Sequence, residues 1–299
     1  MLTFKDIELD DKSLFDRYFQ AKTYENSEYS FINLFIWRHS YNFKYTILHE
    51  HLCVVGCYRG LYPFVFSPLS LKKEDFEKTL PVLAEYFHSN GLPLVLKAVT
   101  EEQKEAIAEV MGGKIIFLAD RNNFDYVYLS KDLIELKGNK YRQKRNHINK
   151  FVKYYTYEYE RITNNNLREC LSAAYEWFSK QNTSQSIFEE KQAIQEIMKH
   201  YNELDVVGGA IRINGKIQAF SIGELLNPDM AVIRIEKANT DYDGSYAIIN
   251  RSFSFHEWSD VTYINREEDM GIAGLRKSKE SYHPVKMIKK YTGFYDERR

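Results

Sequence analysis

The chain has 299 residues, 44% of them hydrophobic, enough for a sizeable core and, at roughly 100–200 residues per domain, for two domains. Lys and Arg total 41 against 42 Asp and Glu; the net charge of −1 excludes a protein that coats nucleic acid or an anionic membrane over its whole surface, so any basic function must be local. Cys53 and Cys57 lie close together with Cys170 far away, which makes no disulfide framework, and Met1 to Asp10 lacks the basic-then-apolar pattern of a secretory leader. No apolar run approaches the ~20 residues that cross a bilayer, since Arg38 and His39 follow Leu34 to Trp37 at once. The expectation is a cytoplasmic protein without integral membrane association. Its 23 Tyr and 19 Phe suit strands and aromatic-lined grooves.

In chain order, Lys44 to Ser67 alternates apolar and polar residues in short runs and predicts an antiparallel meander. Phe76, Leu80, Leu83 and Phe87 recur at helical spacing within Lys72 to Ser89, and Asn90-Gly91 supplies the stop. A strand over Leu92 to Ala98 follows. Thr100 with Gln103 reads as a capping box opening a helix that Gly112-Gly113 closes, before strands near Ile115 to Leu118 and Phe124 to Leu129. From Tyr154 the alternation of Tyr155, Tyr157 and Tyr159 with polar residues predicts a strand, then helices over Asn166 to Lys180 and about Ile187 to Asn202. Strands over Val206 to Ile213, Lys216 to Glu224 and Met230 to Lys237 come next, the first two joined by the hairpin signal Asn214-Gly215. A helix from Gly244 to about Trp258, a strand over Val261 to Asn265, a helix from about Gly271 to Tyr282 and a strand near Val285 to Tyr295 complete the chain. Both halves place a hairpin-rich sheet before a βαβ unit, which predicts an α+β chain with mixed sheets and a structural duplication. The expected parts are residues 1–136, a basic connector helix over 137–153, and residues 154–299.

That connector holds Lys137, Lys140, Arg142, Lys144, Arg145, Lys150 and Lys153, with His147 and no carboxylate. On a helix, Tyr141, Ile148, Phe151 and Val152 would form an apolar stripe, leaving the cations, Lys144, Arg145 and His147 among them, for a phosphate-bearing ligand or for solvent. A second candidate is Asn265-Arg266-Glu267-Glu268-Asp269 with Gly271, Gly274, Arg276 and Lys279. The acids before and cations along the helix complement its dipole, while the glycines cost helix stability and suggest close approach of a backbone or ligand. A third is the helix start at Gly244-Ser245, whose amides could hold an anion, although Asp241 and Asp243 beside it oppose one. His49-Glu50-His51 lacks a third ligand nearby and reads as a polar turn, so no metal site is expected. Ser70 to Lys73 matches Ser-x-x-Lys without its companion motifs, and no Walker loop, complete dinucleotide fingerprint, nucleophile elbow or zincin motif is present.

The stretches Lys140-Tyr141-Arg142-Gln143-Lys144-Arg145-Asn146-His147-Ile148-Asn149-Lys150-Phe151 and Asn265-Arg266-Glu267-Glu268-Asp269 through Gly274-Leu275-Arg276-Lys277-Ser278-Lys279, with Tyr282 and Pro284 beyond, resemble the phosphatidylglycerol lysyltransferase C-terminal domain family. The resemblance covers most of the chain in element order. It implies two tandem GNAT-type acyltransferase folds, as in Fem-type aminoacyltransferases, with no tightly bound cofactor and with aminoacyl-tRNA as donor, so that the tRNA acceptor end would be the partner. The multi-spanning membrane region of the lipid-modifying enzymes has no counterpart here, and the acceptor is left open. Acyl-CoA is the alternative donor, and a non-catalytic ligand-binding protein the third reading. Acyl transfer needs a base and donors for the developing oxyanion. The expected cleft lies between the diverging strands Met230 to Lys237 and Val261 to Asn265, with Glu236 or Glu224 as base and Asn265 and Arg266 positioning the donor. Arg276 and Lys279, with Lys144 and Arg145, would hold its phosphates.

Overall fold

A computed structural model describes residues 2–72, 76–180 and 183–296. The chain divides into two compact units, one of Met1–Phe124 with Ile288–Arg299 and one of Asp125–Met287.

The first unit opens with β1 (Lys5–Asp6), α1 (Lys12–Phe19) and α2 (Phe31–Tyr41), none of them expected from the sequence. In α2 the residues Phe31, Ile32, Leu34, Phe35 and Ile36 are all buried, so no polar face interrupts them, and Ser30 caps its start by accepting from the amides of Ile32 and Asn33. The expected meander follows as β2 (Lys44–Leu48), β3 (His51–Gly56) and β4 (Phe64–Phe66), each antiparallel to the next, with β5 (Leu69–Ser70) also pairing β3. Then come α3 (Thr79–Ser89), β6 (Val95–Val99), α4 (Glu101–Met111) and β7 (Ile115–Ala119). The helix expected from Lys72 begins at Thr79, and residues 73–75, which include Lys73, lie outside the described residues. Thr100 and Gln103 form the reciprocal capping box.

The second unit holds β8 (Asp125–Leu129), α5 (Ser130–Glu135), α6 (Arg142–Tyr154), β9 (Tyr157–Arg161), α7 (Leu167–Ser179) and α8 (Gln185–Lys199). It continues through β10 (Val207–Ile213), β11 (Lys216–Asn227), β12 (Met230–Ala238), α9 (Ser245–Glu257), β13 (Tyr263–Asn265), α10 (Ala273–Glu280) and β14 (Lys286–Ile288). The last strand, β15 (Tyr291–Tyr295), lies between β6 and β7. The first sheet runs β1-β2-β3-β4-β6-β15-β7 and the second β14-β8-β13-β12-β11-β10-β9.

The units therefore part at 124/125 and 287/288, not at the expected 136 and 153. β8 hydrogen-bonds to β13, with Asn265 opposite Val127, and α6 buries Ile148 and Phe151 in one core with Ile248 and Phe253 of α9. The run expected as a single strand over Val285 to Tyr295 divides between the two sheets. Of the stripe expected on α6, Val152 is exposed.

Two irregularities shape the second sheet. β12 and β13 are parallel from Met230 opposite Tyr263 to Val232 opposite Asn265, where β13 ends while β12 runs on to Ala238. Between β11 and β12 the register slips, Ile222 facing Ile235 and Gly223 facing Ile233, so Arg234 is the extra residue of a bulge. Bulges bend a strand and re-aim a side chain.

Candidate active site

Where β12 continues without β13, its side chains meet the chain that follows Asn265. The Oε1 atom of Glu236 accepts from Nη2 of Arg266 at 2.8 Å, and its Oε2 accepts from Nδ2 of Asn250 on α9 at 3.2 Å. Both carboxylate oxygens are thus engaged. The guanidinium of Arg266 lies 5.0 Å from the ring centroid of Tyr282 and 5.8 Å from that of Tyr128. Its Nη1 and the Oδ1 of Asn250 are buried without a hydrogen-bond partner among the described residues. Buried polar atoms are seldom left so, which marks both as places where a ligand could pair.

A second ion pair backs the first. Arg234, its side chain 1% exposed, donates from Nε to Glu224 at 2.6 Å and from Nη1 to Glu267 at 2.7 Å. Burial pushes the Glu267 carboxyl up, against the opposing pull of Arg234. Glu224, one of the carboxylates expected as a base, is committed to holding this bulge arginine. Arg234 escaped the sequence reading, although a lone Arg within the apolar run Met230 to Ile235 was the signal available.

The segment after β13 is fastened by its own side chains. Asn265 donates to Asp125 at 3.0 Å and accepts from the Glu267 amide at 2.7 Å, so both ends of its amide serve the bend that carries Arg266 rather than a ligand. Asp269 receives a two-pronged bond from Arg276, 2.8 Å to each oxygen, and further bonds from the Tyr126 hydroxyl at 2.6 Å and the Gly271 amide at 2.8 Å. The Arg276 fork and these other donors hold the Asp269 carboxyl well below the usual range. Lys279 reaches back under the loop, its ammonium bonded to the carbonyl oxygens of Arg266, Glu267 at 3.1 Å and Glu268 at 2.6 Å. Arg276 and Lys279, expected to grip donor phosphates, instead hold the loop in shape. Gly271 has φ +73°, a turn conformation, whereas a Cβ at Gly274 would meet no atom of another segment within 4 Å among the described residues.

Helix α6 contributes Lys144. Its ammonium lies 3.9 Å from the centroid of the Tyr282 ring that also carries Arg266, and it has no hydrogen-bond partner among the described residues. Burial, then the nearby Arg266 charge, pull its pKa down to about 8, partly opposed by Glu236. Arg145 is used locally, bonding the carbonyl of Leu136 and, at 2.7 Å, that of Gly138. Asp243 takes Lys150 at 2.5 Å and lies 3.8 Å from His147, so acids from elsewhere offset part of the basic stretch.

The helix start at Gly244-Ser245 is not shaped for an anion. A Cβ on Gly244, whose φ is +92°, would lie 2.7 Å from the His147 carbonyl oxygen, so this glycine lets α9 approach α6. The Ser245 hydroxyl donates to the Asn239 carbonyl at 2.9 Å and its amide to Tyr242 at 3.0 Å. Of the residues singled out from sequence, the structure brings Glu236, Arg266 and Lys144 together; Glu224, Asn265, Arg276 and Lys279 support them; and Arg145, His147, Gly244, Ser245 and Gly274 stand apart. Asn250, Tyr128 and Tyr282 join the group only through tertiary contact.

The family model for the C-terminal part of phosphatidylglycerol lysyltransferase matches residues 20–294. A conserved protein of unknown function from Bacteroides thetaiotaomicron is 33% identical with a TM-score of 0.92, the match covering 99% of this chain and 100% of that one. The L-PGS of Bacillus licheniformis shares the fold at a TM-score of 0.68 and 13% identity, over 100% of this chain and 95% of that one. FemX, at 0.59 with 6% identity over 97% of each chain, and a tandem GNAT protein of clavulanic acid biosynthesis, at 0.52 with 8% identity over 98% of each, share it too. The architecture is α+β with two tandem GNAT-like folds, as the resemblance implied. Among the described residues no helix is long and apolar enough to cross a membrane.

Proposed function

The chain belongs to the phosphatidylglycerol lysyltransferase C-terminal family, and from that premise we propose that it is an aminoacyltransferase, taking its aminoacyl group from tRNA and passing it to an amine- or hydroxyl-bearing acceptor. The observation that carries this reading is the Arg266–Glu236 pair in the gap beside β12, with Arg266 Nη1 buried and unpartnered. An aminoacyl ester is attacked at its carbonyl carbon, and charge develops on the carbonyl oxygen. A fixed guanidinium N–H aimed at that oxygen stabilises the transition state more than the ground state. Glu236 and the Tyr282 ring hold the guanidinium against rotation, so little reorganisation is needed when the charge appears. The helix start of α9 favours a tRNA donor over CoA: its amide and hydroxyl are used internally and Asp243 precedes it, which suits a pyrophosphate badly. The exposed Arg142 and Lys153 of α6 are available to phosphates of the acceptor end.

Transfer from tRNA charged with a labelled amino acid and from labelled acetyl-CoA, offered amine and hydroxyl acceptors, tests the reading alongside thermal shifts with each donor. Charged tRNA raises Tm, its label moves to an acceptor, and Arg266→Ala removes the transfer. Label moving only from acetyl-CoA makes the protein a CoA-dependent N-acyltransferase. If neither donor shifts Tm or loses label, the transferase reading fails.

A further inference from the structure

We propose that Lys144 is the proton acceptor of the transfer reaction, a catalytic role that rests on the aminoacyltransferase reading and displaces the carboxylates as base. Both carboxylates expected for that task are already committed: Glu236 has one oxygen on Arg266 and the other on Asn250, and Glu224 accepts from the Nε of buried Arg234. A carboxylate bonded to a guanidinium is a weakened base, because taking a proton would break the pair and leave the cation uncompensated.

Lys144 lies beside the same pair without being tied to it. It shares the Tyr282 ring with Arg266, 3.9 Å from the centroid against 5.0 Å, and among the described residues it has no hydrogen bond to break on taking or releasing a proton. The charges acting on it are Arg266 and Glu236, with the Tyr282 phenol beneath it pushed up to about 12 by burial and therefore un-ionised near neutrality. Lys140 lies in the turn just before its helix and His147 one turn further along it. Burial and the Arg266 cation favour its neutral amine, leaving an appreciable unprotonated fraction in the neutral to mildly alkaline range, which a base for acyl transfer requires.

The step balances without a further reactant. The acceptor's N–H or O–H attacks the ester carbonyl carbon while the Lys144 lone pair takes its proton, and the carbonyl oxygen becomes an oxyanion facing Arg266 Nη1. The intermediate collapses with loss of the C–O bond to the tRNA ribose, and the departing oxygen takes the proton back from the Lys144 ammonium. A new amide or ester remains on the acceptor.

Two measurements decide it. Site-resolved competitive labelling of lysines with acetic anhydride across pH 6–10, read by mass spectrometry, reports when each amine becomes nucleophilic, whether or not the protein turns over. Lys144 labels with a midpoint near pH 8, about two pH units below the ordinary lysine value of about 10.4. In parallel, steady-state transfer from charged tRNA is followed against pH for the wild type, Lys144→Arg and Lys144→Met. The wild-type rate rises through about pH 8; both variants lose kcat by about 10²–10⁴, the usual contribution of general-base catalysis, and lose that rise, while charged tRNA still raises their Tm. Lys144→Arg keeps the charge but cannot surrender a proton, so retained kcat in that variant, or Lys144 labelling only near the ordinary lysine value of about 10.4, overturns the role and leaves the transferase reading intact. A wild-type chain that turns over neither charged tRNA nor acyl-CoA overturns both.

Discussion

Arg266 Nη2 donates to Glu236 Oε1 at 2.8 Å across the gap that opens once β12 and β13 cease to pair. Breaking a well-buried ion pair by removing one partner costs about 3–5 kcal/mol. Both side chains keep some exposure, 12% and 14%, so Arg266→Ala or Glu236→Ala should each lower unfolding free energy by about 2–3 kcal/mol, with the double variant well short of the sum. Urea denaturation checks this; single losses under about 0.5 kcal/mol would place the pair among ordinary surface ion pairs.

Lys279 is the fastening of the Arg266 loop. Replacing it with Met leaves the carbonyls of Arg266, Glu267 and Glu268 without their shared donor, at about 1–3 kcal/mol for each buried group left unsatisfied. Amide hydrogen exchange over residues 265–270 should accelerate in Lys279→Met. Unchanged protection there would mean that the loop holds its shape without the ammonium.

The Asp269–Arg276 bond gives stability a defined acid limit. Because the folded Asp269 carboxyl titrates below the unfolded one, its contribution is complete above the ordinary value of about 4 and is lost as pH falls through the folded value. The Tm difference between wild type and Arg276→Met should be level from pH 7 to about 5 and shrink in more acid solution. Calorimetry showing a difference that grows on acidification would contradict the assignment.

For Lys144 stability also rises with pH, but in an alkaline window. Its folded value, near 8, lies below the unfolded ~10.4, so between those values the unfolded chain binds more protons and folding gains stability as pH rises. Lys144→Met removes this, so the stability of wild type relative to the variant should climb between about pH 8 and 10. A flat difference over that range would show that the amine is not depressed.

Gly244→Ala probes the contact of α9 with α6. The new Cβ would meet a backbone carbonyl at 2.7 Å in a conformation L-residues rarely adopt, so it should cost about 2 kcal/mol or more in thermal or chemical unfolding, whereas Gly274→Ala, facing open space, should be neutral or stabilising.

The readable elements were those with short-range causes. The capping box of Thr100 and Gln103, the Asn214-Gly215 hairpin with φ of +49° and +77°, and the alternating strands of the second sheet follow from residues a few positions apart. Helix α2 was missed because it is buried on most sides, which erases the polar face that periodicity needs. Of the candidate site, Glu236, Arg266 and Lys144 were legible as residues, from the charge segregation and the family-like stretches that carry Lys144 and Arg266. Their roles were not, since an exposed and a committed carboxylate look alike in a sequence.

Residue types along the chain were therefore enough for most of the element order from β2 onward, the duplicated α+β architecture and the family. Tertiary structure alone decided that β8 joins the second sheet and β15 the first, and that Arg276 and Lys279 spend their charges on the loop. It also decided that Arg234, Asn250 and Tyr282 complete the cluster around Glu236. Strand periodicity says which face a side chain takes but not which strand edge lies beside it. Charges from distant segments find one another only where two parallel strands part and leave a gap that burial makes costly to enter unpaired.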